Sequence, residues 1–592
     1  MGKKGRRLLS AIRLQVALQV QQELAVTSKA VSSSHSSMQL WLGCRTFPVL
    51  LLLAAMLLLQ VPDVSASLTA TTAPDPARSA SQKIQEAIQG QREAEDAANR
   101  AASFAACLRN IKGFPEVRLP GTPSYRDYAN GLRIIRWHSP AAVVYPKSVR
   151  QVQAAVLCAV KFKVQPIPRC GGNSFESLSS GDGALVIDLS EMGAVAVDVP
   201  AMTATVQFGA RMGNVYSAIH KAGVAAGKNL TSLGGVWPQV GIGGLTAAGG
   251  YGSLSRKYGV LADHILSARV VDAKGRVLLA SPQSNPDLFF SIRGGGGGTY
   301  GIVVEAVVKV IEVPVVTVAH IGYRGLDHAV ELMARFQRWA PSAPAELTFT
   351  YNLVRAGSDI KLYYLGRAAA LQQLMQQHSG LLAYPGAVYR AVECDVLGSR
   401  GWLAGSGWAP LACRSDNVEV PHRVTPGGVL MKDREASKYR SAIFTKPIPH
   451  EGLQEIIGLL RSPEKVWKLF QWKAYGGAFD SIPSNFNAFP HRKGVIMHSE
   501  FGTSFGYQRA ASDLSASQAN VVWDYFARAA AVMDKYATGA RYNGYVCLCD
   551  DVAQYFGPNY ARLRAAKKKY DPSNVFRNAL SVAPATGDTN LE

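Results

Sequence analysis

Three glycine-rich segments hold the residue types best suited to chemistry. The first, Arg169-Cys170-Gly171-Gly172-Asn173-Ser174-Phe175, follows directly on an apolar, strand-like run, so successive backbone N–H groups can face one anion with no side chains in the way. Taken alone, it fits an ordinary turn equally well. The second begins at Gly234, passes through Trp237, Pro238, Val240, Gly241 and Gly244, and ends at Gly250, Tyr251 and Gly252. The third is Arg293 with five glycines at 294–298, then Thr299 and Tyr300. So many glycines in short spans carry a conformational-entropy cost that only a closely approached backbone would justify. None is a GxGxxG opening a helix, and none is a phosphate-binding P-loop.

The elements that must position these runs follow from periodicity. Residues 142–146 read as a short strand, 148–162 as an amphipathic helix, 164–169 as a second strand and 184–189 as a third. Strands alternating with helices argue for an α/β unit. The stretches 202–210, 268–280 and 301–313 add β-rich segments. Beyond Pro314 the texture changes to amphipathic strands at 346–354 and 360–366, separated by helices at 326–339 and 453–460, which predicts an α+β region with antiparallel pairing. A helix near 559–570 stops at Asp571-Pro572, because proline cannot continue it.

At 592 residues and 48% hydrophobic, the chain is too long for one core and too apolar for disorder. Its formal charge of +21 is scattered, with no basic stripe among aromatics, so nucleic acid is not expected as a partner. Residues 47–61 form an apolar run too short for a comfortable membrane span, followed by Val64-Ser65-Ala66, which suits signal-peptide cleavage. The same run kept as a membrane anchor is the alternative. Secretion to the exterior, cell wall or vacuole is therefore expected, after a leader of 1–66 and, over 67–105, a linker and N-terminal helix. Of eight cysteines, Cys44 would leave with the leader, no remaining pair has zinc-site spacing, and an odd remainder leaves at least one free thiol. Cys547-Leu548-Cys549 is too tight for a CxxC redox motif, and Asn229-Leu230-Thr231 is a glycosylation sequon.

In order, RCGGNSFESLSSG, VGIGGLTAAGGYGSLSRKYG, LFFSIRGGGGGTYGIVVE, FPHRKG and YFGPNYARLRAAKKKYDPSNVFRN resemble the signature stretches of berberine-bridge-enzyme-like proteins, within the FAD-linked oxidases related to vanillyl-alcohol oxidase. The resemblance spans roughly residues 105–580. It implies an α+β fold: a PCMH-type FAD-binding domain of two α/β subdomains at 106–315, then a substrate domain at 316–555 whose antiparallel sheet is covered by helices. A segment at 556–585 would complete the FAD domain, leaving 586–592 as a tail. It also implies a disulfide between Cys107 and Cys158, FAD contacts at Asn559 and Tyr560, and an adenine edge against Ile302 and Val303. Arg562 and the lysines at 567–569 read as a solvated helix face.

Two departures stand out. Relatives carry a flavin-linking histidine where this chain has Asn173, and many carry a second linking cysteine where it has Trp237. An amide nitrogen and an indole carbon are poor nucleophiles, so the FAD should be dissociable. The implied reaction is hydride removal from a carbon bearing OH or an amine, with a base taking the heteroatom proton. Glu500 falls where relatives carry a catalytic Glu or Gln, and strand alternation puts it on one face with His498 and Ile496. Over an apolar flavin face its pKa should rise. Tyr251 and Tyr542 are further candidates, as a phenolate beside a cation or as neutral substrate binders. Phe175 stands where relatives often have tyrosine, and Val240 at the resemblance's oxygen-gate position leaves room for O2. The expectation is an oxidase acting on an alcohol, carbohydrate or specialised metabolite. A flavin protein with non-oxidative or lost catalysis, such as an extracellular scaffold, is the alternative.

Overall fold

A computed structural model describes residues 76–586, apart from Pro115, 405–412, Arg414, Asn417, Val424, 426–429, 431–433 and 508–512. The expected leader and its cleavage site lie outside those residues. The chain divides into two compact units, Met1–Gln89 and Gly90–Glu592. The first is described only from Pro76, the start of a helix running Pro76–Arg109.

The second unit opens with a four-stranded sheet: β1 (Val117–Arg118), β2 (Ala142–Val144), β3 (Pro166–Arg169) and β4 (Leu185–Asp188), in the order β1-β2-β4-β3. β2 and β3 both run parallel to β4, and β2 and β4 are buried at every position, as continuous apolar runs in parallel strands should be. The helix Val149–Lys161 makes the crossover from β2 to β3, its first turn capped by the Ser148 side chain. A second sheet has the order β5-β6-β10-β8-β9: β5 (Val195–Asp198), β6 (Thr203–Gln207), β8 (Ile265–Val271), β9 (Val277–Ala280) and β10 (Ile302–Lys309). Between them in sequence lies β7 (Leu230–Thr231), which pairs with β11 (Ile311–Glu312). One apolar cluster, from Val144 and Ile187 to Val304 and Leu563, joins both sheets to the C-terminal helix Tyr560–Tyr570.

The remaining strands build one seven-stranded antiparallel sheet in the order β15-β12-β14-β13-β17-β18-β16. They are β12 (Val316–Arg324), β13 (Leu347–Val354), β14 (Gly357–Leu365), β15 (Val388–Cys394), β16 (Glu435–Phe444), β17 (Leu469–Ala474) and β18 (Met497–Tyr507). Alternation divides its faces. Phe349, Tyr351, Phe470, Trp472, Met497 and Phe501 pack under the helices Ala329–Trp339, His450–Arg461 and Ala516–Tyr536. The intervening residues, Thr350, Asn352, Gln471, Lys473 and Glu500, face the other way.

Sequence periodicity misplaces one charge. Lys567, expected on a solvated face, is fully buried, while Arg562 and Lys569 are about half exposed. Its ammonium donates to Asp571 and to the Thr299 carbonyl, each at 2.6 Å, and to the Phe576 carbonyl. Three acceptors offset the cost of burying the charge and tie the last helix to the end of the third glycine run. Replacing Lys567 by Met leaves the Asp571 carboxylate buried without its cation, and should destabilise the fold by about 3–5 kcal/mol. Urea unfolding measures this.

Candidate active site

The three glycine runs and the polar face of the seven-stranded sheet line one cavity of about 1070 Å³. The first two runs touch backbone to backbone. A β-carbon on Gly171 would lie 2.4 Å from the Gly241 nitrogen, and one on Gly241 would lie 2.3 Å from the Gly171 nitrogen, so neither position tolerates a side chain. Asn173 sews the same two loops together, donating its amide to the carbonyls of Gly171 at 3.1 Å and Gln239 at 3.0 Å. The buried Arg211 guanidinium donates to those same carbonyls.

Toward the cavity the backbone is bare. A β-carbon on Gly244 would meet nothing within 4 Å, and one on Gly297 only the Ala247 methyl at 3.8 Å. Among the described residues no protein acceptor takes the N–H of Gly172, Asn173, Ser174, Gly297 or Gly298. The buried Thr299 hydroxyl beside them also lacks a partner. Free amides converging from separate loops, with no side chains between, suit the oxygens of a pyrophosphate, and the cavity has room for a dinucleotide and a substrate.

Arg169, Cys170, Gly171, Gly172, Asn173, Ser174, Phe175, Trp237, Val240, Gly241, Gly244, Gly252 and Val303 all line this cavity, as do Tyr251, Tyr542 and Glu500. Gly234, Gly250, Ile302, Asn559 and Tyr560 do not. Gly234 and Gly250 shape the second loop from behind, Ile302 is buried in the core, and Asn559 donates to the carbonyls of Ser484 and Asn487. Tyr560 stacks on Phe556. The Arg169 side chain turns inward to Asp188 at 2.5 Å and to the Tyr128 and Ala129 carbonyls, so this residue offers the cavity no free charge. Burial pushes the Cys170 thiol up to about 11, leaving it inert. Trp237 stands at the rim, 48% exposed.

Glu500 has a buried cation beside it. Lys473, on neighbouring β17, donates to Glu500 at 3.0 Å and to the Tyr545 hydroxyl at 2.8 Å. Burial draws the lysine below its ordinary range and Glu500 pulls it back. Among the described residues no cation bonds the Tyr251 or Tyr542 oxygen. Tyr251 donates to the Ala474 carbonyl at 3.2 Å, and Tyr542 accepts the Tyr251 N–H at 3.2 Å. Burial pushes Tyr542 up to about 12 and Tyr251 higher, which favours the neutral phenol at both. His498 lies beneath them in an aromatic cage, and burial holds it well below its usual range. Phe175, lacking a hydroxyl, packs edge-on against Tyr439.

Sequence reasoning missed Lys473, Tyr545, Gln471 and Asn352. The alternation Phe470-Gln471-Trp472-Lys473-Ala474 was a signal, but a polar face reads the same toward solvent as toward a cavity.

Among the described residues disulfides join Cys107 to Cys158, Cys394 to Cys413 and Cys547 to Cys549, leaving Cys170 free. Asn229 is half-buried, its amide donating to the Pro314 carbonyl and accepting from Val396, so a glycan on that nitrogen would compete with the bond to Pro314. Among the described residues no helix is long and apolar enough to cross a membrane, and residues 47–61 lie outside them.

Residues 140–281 match the family described as FAD binding domain, and 544–583 the one described as Berberine and berberine like. The chain is 30% identical over 497 residues to Berberine bridge enzyme-like 3 of Arabidopsis thaliana, covering 78% of this chain and 87% of that one. Among solved structures it is similar to BBE-like 1 of Physcomitrella patens, with TM-score 0.71, 29% identity and coverage of 82% and 100%. It also resembles the grass pollen allergen Phl p 4, which has glucose dehydrogenase activity, with TM-score 0.69, 25% identity and the same coverage.

Removing the Asn173 amide by Asn173→Ala should loosen the contact of the first two loops. Two hydrogen bonds are worth about 1–3 kcal/mol together, so FAD affinity should fall by roughly 10- to 100-fold, as flavin fluorescence titration would measure.

Proposed function

We propose, from the premise that the chain belongs to the berberine bridge enzyme-like family of FAD-linked oxidoreductases, that it is an oxidase of alcohols, with carbohydrates favoured, acting through dissociable FAD. That it binds FAD and is an FAD-dependent oxidoreductase follows from the family. The observation that carries the rest is the shared cavity, with bare amides on one wall and a buried acid–base cluster on the other.

Residues 106–315 with 556–585 would hold the cofactor, and 316–555 the substrate. The unpaired amides at 172–174 and 297–298 would take the pyrophosphate, and Val303 an edge of the adenine. Bound FAD supplies a two-electron acceptor for hydride. Glu500 is the proton acceptor on the sheet wall, and Tyr251 and Tyr542 shape the pocket as neutral phenols. Dissociable binding is supported by Asn173, whose amide is spent on two carbonyls, and by Trp237, whose indole carbon is no nucleophile.

Sugars as substrates are supported by similar structures, among them a chitooligosaccharide oxidase. Oxygen as oxidant is supported by half-buried Val240 on the cavity wall. The margin is narrow: Phl p 4 has glucose dehydrogenase activity, yet a single-residue variant of it is a glucose oxidase. Three disulfides support a secretory, oxidising compartment. An extracellular scaffold has less support, because a buried lysine–glutamate pair facing a cavity serves no packing need.

Acid precipitation of the purified protein should release all of its yellow colour. Reducing sugars should bleach the bound flavin under argon, and readmitted air should restore it with peroxide. Protein that stays colourless in excess FAD, with no thermal stabilisation, would refute the reading. Val240→Leu should slow reoxidation by oxygen without slowing bleaching.

A further inference from the structure

We propose that the Cys547–Cys549 bridge is a thiol-exchange site, opened by low-molecular-weight thiols from a second cavity and felt in the first. This goes beyond the oxidoreductase reading, and the opening step does not depend on it.

The pair is too close in sequence for a CxxC motif, yet its two cysteines are bridged. The sequence separation is 51 for Cys107–Cys158, 19 for Cys394–Cys413 and 2 for this bridge. A bridge constrains the unfolded chain less as the loop it closes shortens, so this one gives the fold least. By linkage, the fold in turn protects it least against reduction. Its two sulfurs are unequal. Cys547 is fully buried, while Cys549 is exposed and lines a second cavity of about 960 Å³ with Leu548, Lys438, Trp523 and Phe526. A thiolate entering there meets the Cys549 sulfur, and Cys547 is the leaving group. The Cys549 N–H donates to the Cys547 sulfur at 3.2 Å, which favours the departing thiolate. An Asp550 carboxylate oxygen within 4.8 Å of both sulfurs opposes that charge. Arg440 and Arg541 donate to the same carboxylate at 2.6 and 3.3 Å and offset it.

The bridge sits in the wall between the two cavities. Tyr545 and Val546 line the first, Leu548 and Cys549 the second. Tyr545 accepts from Lys473 at 2.8 Å, its N–H donates to the Tyr542 carbonyl, and the Asp550 N–H donates to the Cys547 carbonyl. The Cys547 N–H donates to the Tyr555 hydroxyl at 2.9 Å. Opening the bridge lets the two cysteines separate within this short loop, and the Tyr545 ring, two residues upstream, loses its fixed seat. In the exchange, the small thiolate's sulfur bonds to Cys549 Sγ, the Cys547–Cys549 S–S bond breaks, and Cys547 leaves as a thiolate. A second small thiolate then bonds to the outer sulfur of the adduct, releasing the Cys549 thiolate and a symmetrical disulfide. Attack by Cys547 on Cys549 instead restores the bridge and releases the small thiol. The two electrons come from the thiols throughout.

The test uses the folded protein loaded with FAD. It is incubated with glutathione, quenched with iodoacetamide and digested for tandem mass spectrometry. Cys547 should carry the alkyl group and Cys549 either the alkyl group or glutathione, while Cys107–Cys158 and Cys394–Cys413 stay closed. Hydrogen exchange should rise across 542–550. Anaerobic flavin reduction by glucose, cellobiose or diacetylchitobiose should slow by roughly 10- to 100-fold, as misplacing a group at a reaction site does. The double variant Cys547→Ser, Cys549→Ser should match the thiol-treated protein and be indifferent to glutathione.

A bridge that stays closed, or that opens no sooner than Cys394–Cys413, overturns the exchange site. A bridge that opens with hydrogen exchange across 542–550 unchanged overturns its link to the first cavity. Bound flavin that none of the sugars reduces in untreated protein overturns the hydride-transfer reading instead, and leaves the alkylation and hydrogen-exchange results to decide the proposal.

Discussion

The contact between Gly171 and Gly241 is the constraint on which the site depends. Two loops separated by about a third of a domain's length in sequence meet with no room for a β-carbon on either, and Asn173 and Arg211 fasten them through the same two carbonyls. Close approach turns the loop N–H groups outward together, toward the cavity rather than toward each other. Any side chain at that seam would part the loops and scatter the amides. The third run reaches the same cavity by another route, held from behind by the buried Lys567 through the Thr299 carbonyl.

The opposite wall follows a different rule. The seven-stranded sheet buries one face under three helices and turns polar residues to the cavity, where water is restricted and charges must find partners. Lys473 and Glu500 partner each other, and the lysine has a donor left for Tyr545. Farther along, Gln471 donates to Asn352 and Asn352 to Asp359, so the polar face holds two linked groups rather than isolated side chains. Bare amides thus form one wall and acid–base groups the other, and the proposed function assigns the cofactor to the first and the proton to the second.

The loss of the usual linking residues fits this arrangement. Asn173 is not an idle replacement for a histidine, since its amide makes the inter-loop bonds that keep the cradle closed. Trp237, at the rim, leaves the cavity floor to glycine. Much of this was legible in the chain. The helix at 148–162, the strands at 142–146, 164–169 and 184–189, and the apolar run at 301–313 are found close to where periodicity puts them, because each buries a local pattern that its own spacing declares. The Cys107–Cys158 bridge is present as the resemblance implied.

Other features were out of reach for physical reasons. Lys567 sits in a run of three lysines on a helix, and nothing in that run marks which one meets Asp571, Thr299 and Phe576 inside the core. Glu500 was identifiable by its block, but its cation comes from another strand, and cross-strand partners are set by register, which the sequence does not state. Asn559 reads as a ligand contact until the loop it ties, through Ser484 and Asn487, is folded beside it. Composition, glycine spacing and ordered motifs therefore determined the fold class and the family, because they act through local backbone freedom and local burial. Which amides stayed unpaired, which lysine was buried and which tyrosine met a charge were decided only when distant segments packed together, since those properties belong to pairs of residues and not to either one alone.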